Sequence, residues 1–422
     1  MKQTNAFPRR YFMVFGTFLL ALLLYVDRIC ISVAKDPIAE NLDLSDKQMG
    51  WILAAFSLGY AFFQTPSGIL VDRFGPRKIL ASIVTIWSVF TAITGLAWNF
   101  ISLLVVRFLF GAGEAGAFPG MSRAIYSWIP LKERGIVTGI NFSGSRLGAA
   151  FSLPVVAWLI TEFGWRVTFV ILGAIGILWA VIWYVLFRDN PEDHKGISPN
   201  EKDYIISTRQ DKQVAKTKET INFGALLKSK NIWFAMGQYF CSNFTFFFAL
   251  TWLFPHIKEL YNLDTVEAGL YTAIPLIFGA FGNWFAGWLI DRTFKKGKWE
   301  ASRRFPAALG FFLAAVGLIG SIYMTSAVGA IVFLSIAIFG ADMTLPPSWA
   351  FCVDIGKKHA GAVSGTMNMA GNIGAFITAL LFPYLLAWTG STTLFFIVGA
   401  VLNILAIVFW YQMKPQKNFK EY

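Results

Sequence analysis

Apolar runs recur about a dozen times along this chain, near residues 11–34, 47–71, 79–97, 99–125, 133–161, 165–187, 230–258, 265–290, 304–324, 328–354, 359–387 and 392–413. A helix needs roughly 20 apolar residues to cross a bilayer, and these runs meet that length. They are continuous, with no alternation of apolar and polar positions, so helices are expected and not the strands of a barrel. The pattern predicts an all-α membrane protein with twelve transmembrane helices. Composition agrees: 56% of the 422 residues are hydrophobic and only 14% are charged, where a soluble domain carries about 25% charged residues. The first run is too long for the apolar core of a signal peptide and reads as the first helix.

Basic residues predict the orientation. With the N-terminus in the cytoplasm, the inner loops and tails hold Lys2, Arg9, Arg10, Arg73, Arg77, Lys78, Arg123, Lys132, Arg134, Lys357, Lys358, Lys414, Lys417 and Lys420. Nine more lie between 188 and 230 and six between 292 and 304. The outer loops keep only Lys35, Lys47, Arg166 and Lys258. This bias predicts that both termini lie in the cytoplasm; the expected location is a bacterial inner membrane. The net charge of +12 is thereby explained by topology, with no nucleic-acid partner required. The longest polar segment divides the chain into an N-terminal unit (1–187), a cytoplasmic linker (188–229) and a C-terminal unit (230–422), with six runs in each unit.

The two halves repeat. "GILVDR" (68–73) matches "GWLIDR" (287–292), each ending the second run of its half. "RGIVTGINFSGSRLGAAF" (134–151) aligns without gaps to "AGAVSGTMNMAGNIGAFI" (360–377), each opening the fifth. Parallel repeats of this kind are a transporter signature, with the substrate site between pseudo-symmetric six-helix bundles near mid-membrane.

Six charges lie at membrane depth: Asp27, Arg28, Arg107, Glu114, Arg146 and Asp342. Each costs about 2.5–3.5 kcal/mol on an insertion scale, so such residues face a cavity or a partner. Asp27 and Arg28 are neighbours, about 100° apart on a helix. Arg107 and Glu114 are seven apart and share a face. One reading makes these charges buried pairs that hold helices together, a weak route to stability. The other has Arg28 and Arg107 present guanidinium forks to a carboxylate, with Asp27 and Glu114 exchanging protons as their surroundings change. Asn368 and Asn372 share a helix face and can meet substrate hydroxyls or bond between helices. Trp349 can stack on a sugar or simply pack. Asp72, at the end of the second run, can cap a helix of the other half and form a gate. Asp291 is its counterpart, with Arg73 and Arg292 beside them.

The loop "GILVDRFGPRK" (68–78) resembles the signature of the major facilitator superfamily. "YVDR", "RFLFGAGEAGAFPG" (107–120), "GSRLGAA", "GWRVTF" (164–169) and "NPEDHKGIS" together resemble its anion:cation symporter family, which includes galactonate, glucarate and hexuronate carriers and the lysosomal sialic-acid carrier. The likeness spans almost the whole chain. It implies the major facilitator fold and proton-coupled symport of an organic carboxylate, a sugar acid or dicarboxylate. It implies proton coupling and anion recognition at Asp27, Arg28, Arg107 and Glu114, and a substrate site lined by Tyr25, Tyr60 and Gln238. Arg146 departs from the galactonate carrier's pattern, which has an uncharged amide there; its repeat partner is Asn372. An additional cation at the cavity would favour a more acidic substrate.

Cys30, Cys241 and Cys352 stand apart, and His194, His256 and His359 are scattered, so neither a disulfide framework nor a metal site is expected. There is no Walker-type glycine loop. The expected partners are a small organic anion, protons and the lipid bilayer, acting on a monomer without cofactor or enzymatic activity. An anion or organophosphate exchanger, and a transporter-like sensor, are the alternatives.

Overall fold

The computed structural model describes residues 8–209, 223–263 and 265–416. Linker residues 210–222 and the basic residues Lys2, Lys417 and Lys420 lie outside them. All regular elements among the described residues are helical. Twelve long helices follow the apolar runs: α1 (Arg9–Val33), α2 (Asp46–Phe74), α3 (Pro76–Thr94), α4 (Phe100–Trp128), α5 (134–163), α6 (165–186), α7 (Lys230–Thr251, continued by Leu253–Leu260), α8 (Thr265–Lys295), α9 (Trp299–Ile322), α10 (Ala327–Met343, continued by Leu345–Gly356), α11 (Ala360–Thr389) and α12 (Thr393–Gln412). α5 and α6 form one 53-residue run broken at Gly164, whose φ of 75° suits a residue without Cβ.

Among the described residues, eight stretches are long and apolar enough to span by themselves, one of them running through both α10 and α11, and a ninth forms if the bent α7 is one span. α2 and α5 fall below that mark because small and polar residues replace aliphatic ones along them. Both lie on the seam between halves, where α2 packs against α11 and α5 against α8. Small residues are what a close helix crossing requires. A Cβ at Gly68 would strike the backbone of Gly361, and one at Gly139 would strike that of Asn283.

Large apolar side chains cover the outside. Trp98, Tyr323 and Trp388 are mostly exposed at span ends, where amphipathic rings suit a membrane interface.

The linker is partly ordered. Its helix, Pro199–Thr208, is capped by Ser198. Glu201 from this helix accepts from the backbone N–H groups of Arg9 and Arg10 at 2.8 and 3.0 Å, capping α1. Tyr204 donates to Glu133 at 2.6 Å, and Arg10 reaches the same carboxylate at 3.1 Å. Asp189 accepts from the Arg77 backbone at 2.7 Å, capping α3. The first part of the linker is therefore fastened to the N-terminal half.

Candidate functional site

A cavity of about 40 Å³ lies between the halves, lined by Tyr25, Arg28, Tyr60, Arg146, Asn368 and Asn372 among the expected residues. It also touches Trp349 and, beyond what sequence reasoning singled out, Tyr239, Asn243, Phe118, Phe142, Phe246 and Phe247. Phe118, Phe142 and Trp349 form its floor. Trp349 packs 5.5 and 5.3 Å from the other two ring centres and donates to Tyr239 Oη at 2.9 Å. Below this floor is a second cavity of only about 10 Å³. Trp349 thus combines packing between halves with a place in the cavity wall. The signal for it in the sequence was "PP" at 346–347, which begins the second segment of α10.

One ion pair joins α1 to α4. Arg28 Nε donates to Glu114 Oε1 at 2.6 Å. The geometric reason is the helix itself. Glu114 closes the first segment of α4, level with Arg28, while Arg107 lies two turns away toward the far side of the membrane. Arg107 makes no hydrogen bond or ion pair among the described residues. Its guanidinium lies 4.3 Å from the Phe110 ring centre and 5.5 Å from that of Phe56. Arg28 sits over Phe56 and Tyr60 at 5.1 and 4.5 Å. Phe56 therefore contacts both guanidiniums. Asp27 is buried on the other side of α1, facing Trp87 and Thr91 of α3. Asp27 and Arg107 stand behind the cavity wall and do not line it.

The pair is not saturated. Glu114 Oε2, Arg28 Nη2 and Arg107 Nε are buried without a protein partner. A buried charged group with open hydrogen-bonding capacity is costly unless something else completes it.

Two further expectations are corrected. Gln238 does not reach the cavity. It is fully buried within the C-terminal half, accepting from Ser348 Oγ at 3.1 Å and Trp410 Nε1 at 3.2 Å. The cavity is reached by Tyr239 and Asn243, which lie on a different face of α7. Arg146 lines the cavity but is not an additional free cation. It binds Asp342 of α10 through two hydrogen bonds, Nε at 2.7 Å and Nη2 at 2.5 Å. Asp342, to which the sequence assigned no role of its own, thereby joins the two halves.

At the end of the molecule that carries the linker, the repeat becomes geometry. Asp72 accepts from the backbone N–H groups of Gly361 and Ala362 at 2.9 and 2.7 Å, capping α11. Asp291 accepts from Gly135 and Ile136, both at 2.9 Å, capping α5. Gly135 and Gly361 are partners in the repeat alignment, as are Ile136 and Ala362. A carboxylate at a helix N-terminus meets open N–H groups and the positive end of the dipole. Arg73 and Arg292 are not part of these caps. One residue on from each acid, they turn outward, are exposed, and lie over Phe74 and Trp288 at 5.0 and 4.9 Å. The third contact at this end was not anticipated. Asp354 of α10 binds Arg134 of α5 at 2.7 Å and Arg303 of α9 at 2.9 Å, all three fully buried. Its signal was a charge at the end of an otherwise apolar run.

Toward the opposite end, α2 and α11 leave an apolar groove between residues such as Leu58 and Phe376. The halves are thus joined at the linker end and less closely packed along this seam at the other. Among the described residues, no group of His, Cys, Asp and Glu side chains could hold a metal ion.

Known proteins place this arrangement. The Major Facilitator Superfamily profile matches residues 17–379. A probable sulfoacetate transporter of Cupriavidus necator is 34% identical, the alignment covering 92% of this chain and 90% of the relative. A hexuronate transporter of Bacillus subtilis is 30% identical, with 92% and 91% covered. A probable galactarate/D-glucarate transporter of Escherichia coli is also 30% identical, with 96% and 93% covered. In fold, the chain resembles the transporter FucP, with a TM-score of 0.76 at 15% identity over 96% of this chain and 99% of the other. The proton:xylose symporter XylE gives 0.73 at 17% identity, covering 98% of each chain. The repeated caps, the central cavity between two six-helix halves and the profile match over most of the length agree: this chain belongs to the Major Facilitator Superfamily of membrane transporters.

Proposed function

We propose that this protein is a proton-coupled symporter of a small organic acid anion, a sugar acid or related carboxylate. The observation that carries the reading is the unsaturated Arg28–Glu114 pair at the cavity. An arginine at membrane depth with an open Nη2 suits a carboxylate, because the guanidinium fork can bond both oxygens. Glu114 competes for the same guanidinium. A proton on Glu114 weakens that competition, so protonation and anion binding reinforce each other. Asp27, behind the wall, is the second proton-carrying acid, and Arg107, a permanent cation, is the second guanidinium for the anion. The names of the relatives support the substrate class: a hexuronate transporter and probable transporters of sulfoacetate and of galactarate/D-glucarate.

Transport follows from rocking of units 1–187 and 230–422 about the cavity, with 188–229 as the connecting segment. We place the chain in a bacterial inner membrane with the linker end on its cytoplasmic side, an orientation the positive-inside bias supports. The closed end is then the cytoplasmic gate, held by the Asp72 and Asp291 caps. The protein works as a monomer, since each chain contains a complete cavity.

The test uses vesicles reconstituted with purified protein. Glu114→Gln should exchange labelled substrate present on both sides, yet fail to accumulate it when a pH difference is imposed. Full proton-driven accumulation by both Glu114→Gln and Asp27→Asn would remove these acids from the relay. A wild-type protein that ignored the pH gradient would point to an exchanger.

A further inference from the structure

The Arg146–Asp342 pair lies where no simple packing role explains it. It crosses between halves at the cavity wall and consumes a guanidinium that the cavity would otherwise hold free. Asp342 is the penultimate residue of the first segment of α10, two residues before the break at Thr344. Glu114 ends the first segment of α4, just before the break at Ala115. The two acids therefore occupy corresponding places in the two halves. Each holds one of the two arginines of the cavity.

The arginines face a common space. The guanidinium carbons of Arg28 and Arg146 lie 5.1 and 5.9 Å from the centre of the same Tyr25 ring. The sum of these distances bounds their separation, which a short carbon chain with an anionic group at each end can bridge. Arg146 also lies 3.7 Å from the centre of the Phe246 ring, and it forms part of the wall beside Asn372, its repeat partner.

We infer that Arg146 is a specificity-determining residue for substrates with two anionic ends, and that Asp342 is the competitor such a substrate displaces. The inference rests on the organic-anion reading above. A ligand with a single anionic group reaches Arg28 and leaves the Arg146–Asp342 pair closed, because a buried two-bond pair is not opened by a hydroxyl. A ligand already held on Arg28 presents its second anion to Arg146 at high effective concentration, and this makes replacement of Asp342 favourable. Displacement also loosens a contact between halves, so the dianion acts on the same element that must open.

D-glucarate and D-gluconate share a six-carbon chain and differ by one carboxylate, so they are the probes. Affinities of the purified full-length protein in detergent are measured by calorimetry and thermal shift. Wild type should bind glucarate at least about tenfold more tightly than gluconate. Arg146→Gln should bring the two affinities within about threefold of one another. Asp342→Asn should strengthen glucarate binding without a comparable gain for gluconate. If Arg146→Gln alone does not fold, the double variant Arg146→Gln/Asp342→Asn removes both charges together and should show the same loss of discrimination. A folded Arg146→Gln or double variant that keeps the tenfold preference overturns the inference and leaves the pair as a brace between halves. A wild type that prefers gluconate also overturns it, while the organic-anion reading stands. Binding of neither probe, nor of sulfoacetate or a hexuronate, would instead sink the organic-anion reading itself.

Discussion

Arg28 shows how a single residue can carry three relationships at once. It bonds Glu114, lies over three aromatic rings and keeps one nitrogen open. A lysine could satisfy the ion pair but neither the fork nor the stacking. Arg28→Lys should therefore weaken binding of the carried anion by about 10- to 100-fold, or about 1.4–2.8 kcal/mol. Calorimetry on folded protein checks this, and near-native affinity would reduce Arg28 to a structural partner of Glu114. Asp354 gives a contrasting case. Removing its carboxylate by Asp354→Ala takes away the shared partner of two fully buried arginines. Breaking a buried pair this way costs about 3–5 kcal/mol, so the melting temperature should fall clearly. Presence of the six intramembrane charges was legible in the sequence. Their pairing was not, because residues far apart in the chain meet only once the helices are packed. Arg28 with Glu114 and Arg146 with Asp342 were both beyond the reach of local spacing.

At the scale of the element, the helix termini decide most of what happens at the linker end. Asp72 and Asp291 each satisfy two backbone N–H groups that a helix leaves open. Asp72→Asn and Asp291→Asn each remove a charge from a helix N-terminus, an interaction worth about 0.3–2 kcal/mol. Each should shift the population toward a form open at that end, and the double variant should shift it further. Spectroscopic distances between labels on α2 and α11 measure this. An unchanged distribution in the double variant would show that the caps do not control closure. Glu201 makes the same kind of contact with α1 from the linker helix. Capping was readable for Asp72 because its repeat partner Asp291 had the same glycine four residues before it. Glu201 gave no such signal, since a single acid among the mixed charges of 188–230 looks like any solvated residue.

At the scale of the whole molecule, the contact between halves is asymmetric along the membrane normal. Thr65 of α2 meets Thr366 of α11 with the hydroxyl oxygens 3.3 Å apart, and the glycine crossings lie on the same side of the cavity. Cysteines at both positions should be close enough for a disulfide. Thr65→Cys/Thr366→Cys, once oxidised, should stop transport, and a reductant should restore it. The native Cys30, Cys241 and Cys352 are buried, which keeps the background low. Transport that continued at full rate under complete cross-linking would mean that this seam does not need to open.

The sequence by itself determined the fold class, the number of spanning helices, the repeat and the helices that carry charge. These follow from local quantities: run length, hydropathy and residue spacing. It also exposed Asp72 and Asp291 as equivalents, because a repeat preserves register. The tertiary structure alone decided that Gln238 turns into the C-terminal half while Tyr239 and Asn243 reach the cavity, and that Arg107 stands behind Phe56. It also decided that Arg73 and Arg292 point away from the caps beside them. Adjacent residues on a helix point about 100° apart, so which of them faces a partner depends on the rotation of the whole helix. That rotation is fixed by packing against helices distant in the chain, such as α2 on α11 through Gly68 and Gly361. No local pattern contains it.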